Sequence, residues 1–179
     1  EAERYNKVEK RNITYVLCTN CINLSDELLN LCKQYHIQIS TSLDGQEYIH
    51  NKNRGRIDSY QNVVNGINKA RDYVGNDNVN ALMTVSNIGV DYPIEIVNEY
   101  IRLGFNSIFL RALNPYGLAS VNEDWERYND KFIEFYKKAL SYIIELNIHF
   151  CLRLFYCNYQ RYTYNRYSHT PPENLAEQV

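Results

Sequence analysis

Four times along this chain a short apolar, β-branched run gives way to a polar loop and then to a segment with helical patterning, and this repeat limits the available folds more than any single residue does. In the first unit an extended run at 13–18 precedes a helical stretch at 25–35. Ser25 is placed to cap that helix, and Leu28, Leu29, Leu31 and Cys32 supply an apolar stripe. The second unit has a strand at 37–42, a long polar loop to Asp58, and a helix capped by Ser59 that runs to about 74, where Gly75 and Asn76 stop it. The third has a strand at 79–85, a loop ending at Pro93 and a helix through Leu103 closed by Gly104. Proline fits that first turn because its missing N–H would have had no partner there. The fourth has a strand at 107–111, a loop with Asn114, Pro115 and Gly117, and a helix over about 123–146; one more strand is expected at 148–155.

Strands alternating with helices at this spacing predict a parallel sheet with crossover helices. The strands carry little polar interruption before their last residues, the pattern of strands buried on both faces. The expected class is α/β: a partial (β/α) TIM-like barrel over 1–148, its four strands side by side in sequential order. Residues 149–179 form a divergent Tyr-rich segment with no periodicity to order it. A complete barrel takes about 250 residues and this chain has 179, so it forms part of a barrel or an open sheet.

With 19 Lys+Arg against 21 Asp+Glu, the net charge of -2 argues against a general basic field steering the protein to nucleic acid. No apolar run approaches the roughly 18 residues of a membrane span, and no signal-peptide pattern opens the chain, so a cytoplasmic protein is expected. Five cysteines, an odd number, fit reduced thiols better than a disulfide framework. The chain opens at Glu1 inside a helix-like run, as a piece of a longer polypeptide would.

In parallel α/β folds sites lie at the carboxyl ends of strands. The polar residues there are Thr19-Asn20, Ser42 to Asp44, Ser86-Asn87 and Arg111 to Asn114. Neither a Gly-rich phosphate loop nor a G-x-S-x-G elbow is present. Cys18 and Cys21 have the spacing of a zinc half-site but lack a second pair, and Cys18 is most simply a small buried residue. The segment 42–56 is the most informative: Ser42, Asp44, His50, Arg54 and Arg56 suit a zwitterionic ligand, since Arg binds a carboxylate through two charge-assisted bonds. The plainer alternative is a turn at Asp44-Gly45 with solvated arginines.

Ile39-Ser-Thr-Ser-Leu-Asp-Gly45 followed by Ile49-His-Asn-Lys-Asn-Arg54 resembles the S-x-D-G…H-x-x-x-R segment of radical S-adenosylmethionine (SAM) enzymes of the sulfatase-maturating and SPASM group. Ala81-Leu-Met-Thr84 and the block 91–117 extend the likeness, the latter being most similar to radical SAM maturases of the His-Xaa-Ser peptide system. The resemblance implies that Ser42 and Arg54 hold the amino-acid end of SAM, with Asn87 and Leu110 flanking its ribose and adenine. Asp44 is then expected to accept backbone N–H bonds beside Gly45, and His50 to pack or bond inward.

The resemblance also implies a four-iron four-sulfur cluster, an electron donor and a small peptide or protein substrate, with no part for nucleic acid or membrane. The family's Cys-x3-Cys-x2-Cys ligands are absent from this chain and are expected N-terminal to Glu1. Its cysteine-rich SPASM region is not visible either; Cys151 and Cys157 alone cannot hold a cluster. The expected function is the central part of a radical SAM peptide maturase, this chain alone being inactive; the alternative is a non-catalytic SAM- or peptide-binding fragment. A lyase with a strand-end Lys is disfavoured, because none of the strand ends carries one.

Overall fold

In the computed structural model β1 (Val16–Cys18), β2 (Gln38–Ser42), β3 (Val79–Val85) and β4 (Phe109–Ala112) form one sheet in the order β1-β2-β3-β4, every neighbouring pair parallel. The structure describes residues 1–11, 13–114 and 125–167, with side chains described through residue 149. The expected loop at Pro115 and Gly117 and the chain beyond 167 lie outside the described residues. The helices are, in chain order, α1 (Ala2–Val8), α2 (Asp26–Gln34), α3 (Glu47–Arg54), α4 (Ser59–Val74), α5 (Pro93–Arg102) and α6 (Trp125–Tyr167). The chain divides into two units, Glu1–Ala139 and Leu140–Val179. The sheet and its loops belong to the first; the second carries the α6 backbone to Tyr167. Among the described residues no helix is long and apolar enough to cross a membrane.

Several helix ends follow from the sequence. Ser25 caps α2, its side chain accepting the Leu28 N–H at 3.2 Å, and Leu29 and Cys32 are buried while Leu31 faces solvent. Pro93 opens α5, which ends before Gly104 at φ +72°. Gly75 closes α4. Ser59, expected as a cap, is instead the first residue of α4, and its hydroxyl meets His50. Midway along α4, Gly66 admits the turn after β1: a Cβ there would lie 1.8 Å from the Cys21 carbonyl oxygen.

Three expectations are corrected. The polar loop before Asp58 contains α3, which buries Ile49 and His50 and ends at Gly55 in the left-handed region. With two buried positions in eight residues, its periodicity is too weak to read. The strand expected at 148–155 is helix, because α6 runs unbroken through it. No Gly or Pro occurs between 125 and 167 to stop an established helix, and a short apolar run does not by itself distinguish strand from helix.

The third correction concerns burial. The strands are covered on one face only: β2 alternates half-buried and buried residues, with Ile39 and Thr41 inward, and β3 does the same, with Val79, Ala81, Met83 and Val85 inward. Ser40 and Ser42 of β2 and Asn80, Leu82 and Thr84 of β3 lie on the other face. That face is open and mixes polar side chains with Leu82.

Candidate functional site

The site is built where β2 ends. Ser42 is the last strand residue, half-buried on the open face beside Leu82. The chain is then gripped at successive residues. The Leu43 N–H extends the ladder to the Leu82 carbonyl at 3.0 Å, and the Leu43 carbonyl accepts the buried Tyr100 hydroxyl of α5 at 2.7 Å. The Asp44 N–H donates to His50 Nδ1 at 3.2 Å, while His50 Nε2 lies 3.2 Å from Ser59 Oγ. At Gly45, φ is +116° and a Cβ would lie 2.8 Å from Ile96, so only glycine fits this turn.

Asp44 is 3% exposed, and its carboxylate accepts Arg54 Nε at 2.8 Å on one oxygen and Nη2 at 2.9 Å on the other. The expected role of Asp44 as an acceptor of backbone N–H groups is thus corrected: its oxygens take the guanidinium, and its own N–H goes to His50. His50 does turn inward as expected. Burial, with help from the Arg54 charge and against the opposing Asp44 charge, lowers its pKa, so the ring is neutral: Nδ1 accepts and Nε2–H donates to Ser59. The two arginines part company here. Arg54 is locked into the loop, whereas Arg56 meets only Asp58 at 3.7 Å, both exposed.

Helix α3 also reaches the next strand end. Asn53 Oδ1 accepts the Ser86 hydroxyl at 2.8 Å, and Ser86 Oγ in turn accepts the Ile88 and Gly89 N–H groups. Asn87 sits exposed in that turn. Leu110 pairs in register with Met83 and therefore lies on the covered face, opposite to Ser42. Its neighbours Phe109 and Arg111 are the β4 residues on the open face; Arg111 Nη2 bonds Thr84 Oγ1 at 2.9 Å. Sequence reasoning did not place Phe109 and Thr84 on the face that carries Ser42. The period-2 alternation of a one-faced strand carries that signal.

The described thiols differ in their surroundings. Cys18 is exposed on the open face, which corrects its expected burial; Cys21 and Cys32 are buried, and burial raises both their pKa values. Among the described residues no group of three or more His, Cys, Asp or Glu side chains could hold a metal ion. A cluster needing three thiolates does not fit them. The open face carries hydroxyls at Ser40, Ser42 and Thr84 and the Arg111 guanidinium, while the Arg54 guanidinium is held by Asp44 in the loop after β2.

No protein-family model matches this chain, and no curated protein does. Among solved structures it is similar to native anSMEcpe with bound AdoMet, with a TM-score of 0.62 and 16% identity over 78% of this chain and 39% of that one. The same protein with bound AdoMet and the Cp18Cys peptide gives 0.63 at 16% identity, over 78% and 39%; with the Kp18Cys peptide it gives 0.60 at 16%, over 79% and 42%. That protein is an anaerobic sulfatase-maturating enzyme, a radical SAM enzyme. The fold is α/β, a four-stranded parallel sheet with helices, similar to part of the barrel of those radical SAM structures. This chain spans about two fifths of the structures it matches.

Proposed function

We propose that this chain is the SAM-binding central part of a radical SAM peptide maturase. The observation that carries the reading is the buried Asp44 holding the Arg54 guanidinium two residues beyond Ser42, at a strand end of a fold similar to AdoMet-bound structures. Asp44 takes Nε and one hydrogen of Nη2, which leaves the rest of the fork to accept a second carboxylate, that of SAM. Ser42 donates its hydroxyl to the same carboxylate. Asn87 faces the ribose from the turn after β3, and Leu110 serves the adenine side through the placement of β4, since its side chain is on the covered face.

In the family, SAM would accept one electron and cleave to methionine and a 5′-deoxyadenosyl radical able to take a hydrogen atom from a residue of the substrate. The substrate here is read as a small peptide or protein, in line with the peptide complexes among the similar structures. The described thiols do not form a cluster site, so no electron-transfer step is assigned to these residues. A second reading is a SAM- or peptide-binding module without catalysis.

Calorimetric titration with SAM tests the site. Arg54→Ala should weaken binding about 10- to 100-fold, the effect of losing about 1.5–3 kcal/mol of charge-assisted hydrogen bonding, and Ser42→Ala less. Arg56→Ala should leave affinity unchanged. Equal, small effects at both arginines would overturn the reading. Reductive cleavage of SAM to 5′-deoxyadenosine by the full-length protein separates the maturase from the binding module.

A further inference from the structure

Tyr128, on the first turn of α6, is 1% exposed, and its ring is set edge-on against Trp125 at 5.7 Å. Its hydroxyl donates to the Val85 carbonyl at 2.6 Å and accepts the Leu113 N–H at 2.7 Å. Those two groups have a particular relation. Val85 pairs with Ala112, the last pair of the β3–β4 ladder, just as Ser42 pairs with Leu82. Beyond the Ser42–Leu82 pair the next N–H, that of Leu43, bonds the Leu82 carbonyl directly at 3.0 Å; Thr19 does the same to Ser40 beyond the Cys18–Ser40 pair. At β3–β4 the equivalent bond, from Leu113 N–H to Val85 C=O, is carried through the Tyr128 hydroxyl. One oxygen atom stands between donor and acceptor where the other two ladders have a direct bond.

We infer that Tyr128 is a positioning residue that keeps the carboxyl ends of β3 and β4 splayed to admit the adenosine half of SAM. The inference rests on the proposed SAM site and deepens it. In parallel barrels ligands lie at the carboxyl ends of the strands, and the residues given to the ribose and adenine, Asn87 and Leu110, belong to β4 and the turn after β3. Lys131, one residue-turn further along α6, pairs with Asp91 at 3.2 Å and fixes the helix against the turn before α5. Tyr100 has the complementary duty at β2, where its hydroxyl holds the Leu43 carbonyl next to Ser42. The amino-acid half of the ligand therefore depends on Tyr100 and the adenosine half on Tyr128.

The experiment titrates the wild-type chain, Tyr128→Phe and Tyr100→Phe with SAM, methionine and 5′-deoxyadenosine, following binding by NMR. Tyr128→Phe should weaken 5′-deoxyadenosine and SAM roughly five- to tenfold, the effect of losing a buried hydroxyl that both donates and accepts a hydrogen bond, and leave methionine within about twofold. Tyr100→Phe should show the reverse preference. A general loosening of the fold would move both fragments together, so equal losses, or none, in Tyr128→Phe with a wild type that binds SAM overturn this inference alone. A wild type that binds no SAM overturns the proposed site and this inference with it. In the wild type the Leu113 amide should be protected from hydrogen exchange; rapid exchange there overturns the relay irrespective of ligand.

Discussion

Arg54 and Asp44, ten residues apart, share a two-pronged ion pair in which the acid is buried and the guanidinium side chain is 40% exposed. A carboxylate removed from water in this way needs a partner, and the arginine supplies it while keeping one side of its fork open.

Removing Arg54 therefore affects stability as well as binding. Arg54→Ala should lower unfolding free energy by about 1–2 kcal/mol, less than a fully buried pair because the cation is partly solvated. Arg54→Lys should recover only part of this, since an ammonium cannot make both bonds. Arg56→Ala should change stability by no more than about 0.5 kcal/mol. Urea denaturation of Asp44→Ala, Arg54→Ala and the double variant checks the pairing; strictly additive losses would contradict it.

Gly66 in α4 separates local from tertiary effects. On helix propensity alone Gly66→Ala should stabilise by about 1 kcal/mol. The Cβ would meet the Cys21 carbonyl at 1.8 Å, however, so backbone must move and the net result should be a loss of about 1–3 kcal/mol. Thermal unfolding of this variant gives the sign directly, and a raised Tm would refute the close approach of α4 to the turn.

His50 makes the fold sensitive to mild acid. Its pKa in the folded chain is lowered, chiefly by burial, so the unfolded state binds the proton more readily. Stability from this residue is complete above the unfolded value of about 6.5 and declines as pH falls below it. His50→Gln should flatten the dependence of Tm on pH below about 6.5. An unchanged slope would show that the ring is not the titrating group.

A second acid-sensitive contact lies between α4 and α5. Glu99 is buried; desolvation alone would raise its pKa, but the bonds from Arg102 and Tyr60 outweigh that and bring it below the usual glutamate value. The same contact and burial push the Tyr60 phenol up to about 12. With a depressed folded pKa, Glu99 stabilises above the unfolded value of about 4.3 and that stability is lost as pH falls through the folded one. Glu99→Gln should remove the part of the acid transition below pH 4.3 while lowering stability at pH 7, both readable from denaturation at the two pH values.

The order and kind of the strands were legible in the sequence because they depend on local pattern: each apolar run, its following helix and the stops at Gly75, Pro93 and Gly104 lie within a few residues of what they control. So were the residues of the loop 42–56, though not their pairing. Composition put Asp44 and Arg54 in one loop, but only the folding of α3 set the guanidinium on the carboxylate and left Arg56 in solvent.

What the tertiary structure alone decided involves groups far apart in the chain. Which face of the sheet is covered depends on helices packed against it, and this placed Leu110 opposite to Ser42 and brought Phe109 and Arg111 onto the open face. The strand ends are fastened by Tyr100 to Leu43 across 57 residues and by Tyr128 to Val85 across 43. A tyrosine in an amphipathic helix reads only as an apolar side chain, because the position of its hydroxyl relative to a strand-end carbonyl is fixed by packing and not by its neighbours in sequence.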